Sequence, residues 1–329
     1  MSRLLRWGLL GTARINRSLI PAIRASARSQ LVGVASRLAD RASAYAGEWQ
    51  IPVSYASYEA MLADPQIDAV YIPLPNHLHV EWTLHAIAAG KHVLCEKPMA
   101  LVPSDVDRVE TAAAAGGVVV AEAFMYRHHP LTLQVATMVR DGQIGRLRVV
   151  RGAFTFTLAR PNDVRLVPEW GGGSLWDVGC YPVSYARLLA GEPLAVSAQA
   201  VRHETGIDMA VSGTLLFPGA VMGVFDCGFG AHFRTFVEVA GTEGVITLET
   251  PFKPGAEAPL RLTRGDDVQT IVVAGEPLYL GEIQDLEAAV LDGRPTRVAL
   301  ADSRGNIAAL VALHEAARTG RVVTLDDIG

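Results

Sequence analysis

Cysteine is scarce in this 329-residue chain: Cys95, Cys180 and Cys227 are the only three, and no two have CxxC spacing. That excludes a disulfide scaffold and a cysteine-based zinc site, and the thiols read as reduced and packed in a cytoplasmic protein. Long apolar runs are missing as well, since no stretch approaches the roughly 18 residues of a membrane helix. Basic Arg3 and Arg6 are followed by Gly8, Gly11, Thr12 and Arg14, not by the apolar core and cleavage site of a signal peptide. Positive charge is not in surplus: the net charge is −5, both signs are interspersed, and no basic stripe is available to neutralise nucleic-acid phosphates. The nine histidines, including His77 with His79 and the pair His128–His129, form no zinc signature. The expectation is no metal, no membrane and no nucleic acid.

What the chain does have is hydrophobic mass. Half of its residues are hydrophobic and its length suits two domains of ordinary size. In the first third, short apolar runs at Leu4–Leu10, Leu31–Ala35, Ala69–Ile72, His92–Cys95 and Val118–Ala121 alternate with amphipathic segments. The helices expected between them run to about Arg28 and over Leu38–Ala46, His79–Ala89 and Ser104–Ala115. Continuous apolar strands separated by helices predict a parallel sheet covered on both faces, which binds ligands beyond the carboxyl ends of its strands. After about Ala123 the pattern changes. A helix over Leu131–Arg140 precedes alternating runs at Leu147–Leu158, Val196–Arg202, Met209–Phe217 and Val221–Phe229, with a helical insertion around Leu175–Leu189. Helices return over Leu280–Leu291 and Ser303–Arg318. The predicted class is α/β: an N-terminal Rossmann domain over residues 1–123, then an α+β domain over 124–329 with a large, open, mostly antiparallel sheet. The C-terminal helix is expected to pack back on the first domain.

The first strand ends in Gly8-Leu9-Leu10-Gly11-Thr12-Ala13-Arg14-Ile15-Asn16. Gly11 allows a tight turn, and amides at the helix start would face a pyrophosphate. Against G-x-G-x-x-G only the first glycine is present, with Ala13 and Asn16 at the other two positions, so the pattern is weak and its place at the first strand–helix junction carries the reading. The second strand ends in Ser36-Arg37 with Arg41 beyond, where an NAD-binding chain carries an acid for the ribose hydroxyls. A hydroxyl and two guanidiniums suit a 2′-phosphate instead, so NADP(H) is favoured over NAD.

Four segments carry a family resemblance: Gly11–Ile15, Pro75-Asn76-His77-Leu78-His79, Gly90-Lys91-His92-Val93-Leu94-Cys95-Glu96-Lys97-Pro98 and Asp177-Val178-Gly179-Cys180-Tyr181. Together they resemble the glucose–fructose oxidoreductase/inositol dehydrogenase family over nearly the whole chain, with Glu-Lys-Pro the most diagnostic element. Glu122–Pro130 and Gly171–Gly179 are most similar to its dimeric dihydrodiol dehydrogenase and NADP-dependent xylose dehydrogenase branch. The resemblance implies that Lys97 bonds the substrate oxygen and the nicotinamide ribose, and that a cis peptide before Pro98 aims it into the cleft. It also implies that Tyr181, where many members carry histidine, is the proton donor, with Asp177 on the same helix face orienting a second hydroxyl.

The expected cofactor contacts are Gly11, Thr12, Ala13, Arg14, Ile15, Ser36, Arg37, Arg41, Tyr55, Pro73, Leu74, Asn76, His79, Glu96 and Lys97. Tyr126, Arg127, Phe156, Arg165 and Asp177 are expected to border the substrate. The implied function is hydride transfer between NADP(H) and a hydroxyl or carbonyl carbon of a sugar, sugar derivative or cyclic diol, in a homodimer or homotetramer. Two alternatives remain open: redox-assisted glycoside cleavage with retained NAD, and a non-catalytic NADP sensor.

Overall fold

The structure, a computed structural model, describes residues Arg3–Asp327. It divides into two compact units. Among the described residues, the first comprises 3–100, Ser104–His128 and Tyr279–Ser303, and the second Leu101–Pro103, His129–Leu278 and 304–327.

In the first unit the strands are β1 (Leu5–Leu10), β2 (Ser29–Ala35), β3 (Val53–Tyr55), β4 (Ala69–Ile72), β5 (His92–Glu96) and β6 (Val120–Ala123). The helices between them are α1 (Asn16–Ala25), α2 (Ala39–Trp49), α3 (Tyr58–Leu62), α4 (His79–Ala88) and α5 (Pro103–Gly116). The sheet order is β3-β2-β1-β4-β5-β6 and every pairing is parallel. Such an order reverses direction between β1 and β4, which opens a ligand crevice at their carboxyl ends. Strand periodicity divides the core between the two faces: Leu5, Trp7 and Leu9 join one cluster, and Leu10 joins the other. Burial on both sides is why these strands read as unbroken apolar runs.

A C-terminal helical segment also belongs to the first unit. Helix α8 (Leu280–Asp292), assigned from sequence to the second domain, is part of the first unit, where Ile283 and Leu286 enter the β1 core. Its Glu287 accepts from Ser26 Oγ at 2.6 Å and also from Ser29 Oγ. Strand β3 and helix α3 are additions to the sequence reading, too short to show a period.

The second unit is built on a nine-stranded sheet of β7 (Leu147–Thr157), β8 (Ala195–Arg202), β9 (Asp208–Phe217), β10 (Val221–Gly228), β11 (Gly230–Gly241), β12 (Val245–Leu248), β13 (Glu257–Arg264), β14 (Asp267–Ala274) and β15 (Val323–Thr324). The order is β14-β13-β12-β11-β7-β10-β9-β8-β15, antiparallel except for the β7–β10 pair. Helices α6 (Pro130–Arg140) and α7 (Cys180–Ala190) accompany it, and α9 (Leu300–Thr319) begins in the first unit and continues in the second. Helix α7 lies on the face carrying Val150, Gly152, Phe154 and Phe156, close enough that a Cβ on Gly152 would sit 3.0 Å from Pro182 Cβ. The cross-strand register puts Arg151, Leu216, Met222, Val268 and Val272 on the opposite face, where the four apolar members remain exposed. The three cysteines are buried and form no disulfide among the described residues. Among the described residues no helix is long and apolar enough to cross a membrane.

Candidate active site

In the first unit, the turn after β1 has the geometry of an anion cradle. Gly11 has φ +122°, a value that side chains disfavour, and a Cβ there would approach Leu74 Cδ2 to 3.2 Å. Asn16 Nδ2 donates to the Gly11 carbonyl at 2.8 Å and fixes the turn. The amides of Thr12, Ala13, Arg14 and Ile15 donate to no group among the described residues. Free amides at a helix start are what a pyrophosphate requires.

At the end of β2, Ser36 is buried and accepts from Leu38 N at 3.3 Å, while Arg37 and Arg41 are exposed. The first acid beyond is the exposed Asp40, inside α2. The hydroxyl of Tyr58 lies 3.8 Å from where a Gly11 Cβ would be. Burial raises the pKa of this phenol, and the nearby Arg37 and Arg41 oppose that rise. Tyr58 therefore lies between the turn and the two arginines, while the sequence reading named Tyr55 as the cofactor contact. Tyr55 is committed elsewhere: its hydroxyl donates to Asp64 Oδ2 at 2.6 Å, and its ring lies 2.5 Å from where a Gly33 Cβ would stand. The residue sets at Gly11–Ile15 and Ser36–Arg41 fit a dinucleotide carrying a 2′-phosphate.

Strand β5 delivers Glu96 and the half-buried Lys97 to the same carboxyl edge of the sheet, and the Lys97–Pro98 peptide is cis. Tyr71, at the end of β4 after which Pro73 and Leu74 follow, donates its hydroxyl to Glu96. Beyond Pro98, Met99 N donates to buried Glu122 at 2.8 Å. His79 needs a correction as a cofactor contact. It is buried, with Nδ1 2.8 Å from the Pro98 carbonyl and Nε2 2.7 Å from the Leu74 carbonyl. Burial lowers its pKa, and the contacts with the two carbonyls oppose that shift. It braces the loops that present Leu74 and Lys97. Asn76 opens the short helical turn just before it.

Tyr126 and Arg127 follow β6 in the first unit. Tyr126 is fully buried with its ring edge-on to Phe124, and buried Arg127 donates to Asp302 at 2.8 Å. Both are buried residues of the first unit.

The second unit gathers the other candidates. Asp177 sits in a π-helical turn (Leu175–Gly179) that runs into α7, not in a regular helix as the four-residue spacing predicts. One added residue per turn re-aims a side chain, and such turns recur at functional sites. Buried Asp208 anchors the turn, accepting from Ser174 Oγ and Leu175 N, each at 2.7 Å. Arg165 donates to Asp177 Oδ2 at 2.6 Å and to Asp163 Oδ1 at 3.1 Å, and its guanidinium lies 6.0 Å from the Phe156 ring centroid. Coulombic attraction to Asp177 is the largest of the causes that hold this guanidinium charged. Tyr181 is buried against Phe154 and Phe252, with centroids 5.3 and 5.4 Å away. Phe154 and Phe156 are neighbours on one face of β7, so the unit presents an aromatic wall with a phenol at one end and a carboxylate–guanidinium pair at the other. Asp208, Phe154, Phe252 and Lys253, whose ammonium lies 6.0 Å from the Phe154 centroid, are additions that no motif spacing announces.

A family model described as an oxidoreductase family with an NAD-binding Rossmann fold matches residues 5–124, and the GFO/IDH/MocA C-terminal domain matches residues 132–247. The chain belongs to the GFO/IDH/MocA oxidoreductase family. The GFO/IDH/MocA relatives include a D-xylose 1-dehydrogenase (NADP(+)) of Haloferax volcanii, 38% identical over 97% of this chain and 99% of the relative. They also include a trans-1,2-dihydrobenzene-1,2-diol dehydrogenase of Bos taurus, 35% identical over 75% of each chain. Among solved structures, the 3-ketoreductase KijD10 of Actinomadura kijaniata, in complex with NADP and TDP-benzene, superimposes with a TM-score of 0.90 at 30% identity. That match covers 95% of this chain and 98% of KijD10.

Proposed function

We propose that this protein transfers a hydride between NADP(H) and a hydroxyl- or carbonyl-bearing carbon of a sugar, sugar derivative or cyclic diol. The observation that carries the reading is the carboxyl edge of the first sheet. There the Gly11 turn, an acid-free Ser36–Arg37 terminus and Lys97 share one rim. Thr12–Ile15 would hold the pyrophosphate, Ser36, Arg37 and Arg41 the 2′-phosphate, and Glu96 with Lys97 the nicotinamide ribose. When bound, the nicotinamide supplies or accepts the hydride.

The chain's own groups manage charge and proton. The Lys97 ammonium donates a hydrogen bond to the substrate oxygen and stabilises negative charge developing there. In reduction the Tyr181 hydroxyl gives that oxygen its proton, and in oxidation it takes the proton back. Asp177, held by Arg165, accepts from a second substrate hydroxyl and fixes the ring, and positioning of this kind removes a large share of a barrier. Names among the relatives support both halves of the reading: NADP for the xylose dehydrogenase and KijD10, and a sugar or a cyclic diol as substrate.

We also propose a homodimer or homotetramer that uses the open face of the nine-stranded sheet, where Leu216 and Met222 pair across neighbouring strands in the open. Exposed apolar positions gathered on one sheet face are a usual mark of an interface.

The functional test is a screen of NADPH oxidation and NADP reduction against aldoses, ketoses and trans-diols, run beside Lys97→Ala. Turnover in the wild type, a loss of about a hundredfold or more in the variant and retained NADPH binding are expected. Wild-type-like turnover of Lys97→Ala would refute the role given to Lys97.

A further inference from the structure

One side chain outside the π turn meets both the turn and its anchor. His314 lies on the part of α9 that belongs to the second unit. Its ring centroid is 4.9 Å from that of Trp176, the residue before Asp177, with the planes at 37°. Its Nδ1 is 4.0 Å from Asp208 Oδ1. Asp208 is buried, and its other oxygen accepts from Ser174 Oγ and Leu175 N, each at 2.7 Å. A separation of 4.0 Å is too long for a hydrogen bond, yet close for a charge interaction out of water. The far ring nitrogen, Nε2, is buried and bonds to no group among the described residues. An unpaired buried nitrogen is costly, and an apolar ring of similar size would pack on Trp176 without that cost. What an imidazole adds is a nitrogen that can carry a proton toward the anchor of the turn.

We infer that His314 is a positioning residue for Asp177 and Tyr181, acting on the π turn through the Trp176 indole and the Asp208 carboxylate. The inference rests on the function proposed above and adds to it a residue that works through others. Asp177 follows Trp176 directly, and the turn runs into α7, whose second residue is Tyr181. A shift of the turn therefore moves both groups, and a misplacement of about 1 Å can cost on the order of a hundredfold in rate. The charged groups that face the imidazole are Asp208 from β9 and Arg202 from β8. On α9 itself, Glu315 and Arg318 pair with each other at the surface. Burial lowers the His314 pKa, Asp208 opposes that fall and Arg202 adds to it. The ring therefore gains its second proton on the acid side of the ordinary value near ~6.5. Once charged, it draws Asp208 Oδ1 toward itself, against the hold of Ser174 and Leu175 on Oδ2, and the start of the turn follows.

The experiment measures kcat/KM from pH 5 to pH 8 for the best substrate of the screen, in the wild type, His314→Asn and His314→Phe, with NADPH affinity and Tm alongside. Asparagine keeps a donor near the Nδ1 position but cannot titrate, and phenylalanine keeps the ring on Trp176 but offers no donor. His314→Asn should stay within threefold of wild type at pH 8, and its loss of kcat/KM between pH 8 and pH 5 should be at least threefold smaller. His314→Phe should lower kcat/KM at pH 8 at least fivefold, with NADPH affinity within twofold of wild type. A pH profile that neither variant changes overturns the inference, even if Tm falls, because it reduces His314 to packing. Failure of both variants to fold overturns it too, by making the imidazole a requirement of the fold. In either case the oxidoreductase reading stands on wild-type turnover. If no sugar, diol or ketone is turned over, the functional reading falls and takes the inference with it.

Discussion

At Gly173 the backbone φ is +118°, and a Cβ there would collide with Asp208 Oδ1. The same Asp208 holds Ser174 Oγ and Leu175 N, so one carboxylate and one missing side chain set the start of the turn that carries Asp177. Gly173→Ala should therefore act on chemistry more than on cofactor binding. Strain at a positive φ together with a disturbed buried acceptor costs about 1–3 kcal/mol. The expected outcome is a sugar kcat/KM lower by tenfold or more, with NADPH affinity within twofold of wild type; steady-state kinetics and a fluorescence titration check it. Residues of this kind explain what the sequence left hidden. Lys97, Asp177 and Tyr181 stand out because they sit in recognisable motifs. Asp208 lies 31 positions after Asp177 and its role exists only once the chain has folded. Tyr55 and Tyr58 are three positions apart, and only the geometry shows which hydroxyl approaches the Gly11 turn.

Among the elements, α8 is the one most at odds with its place in the sequence. Its Ile283 and Leu286 complete the core around β1, and its Glu282 is buried with neither carboxylate oxygen bonded among the described residues. Burial is the first cause, and the nearby Glu96 the second, of a Glu282 pKa raised well above the usual carboxylate range. The folded state therefore holds a proton that the unfolded chain releases near pH ~4.3. Stability from this group is complete below that value and declines as pH rises through the folded pKa. Glu282→Gln keeps the neutral shape without the proton, so its Tm should match the wild type in acid and exceed it increasingly toward alkaline pH. Thermal melts across pH check this, and a variant less stable than wild type at every pH would contradict it. Strands β1, β4 and β5 were readable because burial on both faces leaves them continuously apolar. The π turn at Leu175–Gly179 was not, because a single inserted residue leaves the helical pattern of the segment intact.

For the whole molecule, a fully parallel six-stranded sheet and a nine-stranded, mostly antiparallel one were both foreseeable from the change in strand grammar near Ala123. Which C-terminal segment joins the first unit, Tyr279–Ser303, was not readable, since a helix's apolar stripe does not say which core it will join. The open face of the larger sheet gives a prediction at this scale. Sedimentation of the wild type should show a dimer or tetramer, and Leu216→Asp with Met222→Asp should lower its mass, because two buried carboxylates without partners disfavour any interface there. An unchanged mass for the double variant would place the interface elsewhere. The central claim, hydride transfer between NADP(H) and a substrate carbon, is tested most directly with NADPH deuterated at nicotinamide C4 and a carbonyl substrate from the screen. Mass spectrometry of the product should show deuterium bound to the former carbonyl carbon when the label is on the transferred face. Product formed without deuterium from either labelled face would contradict the account.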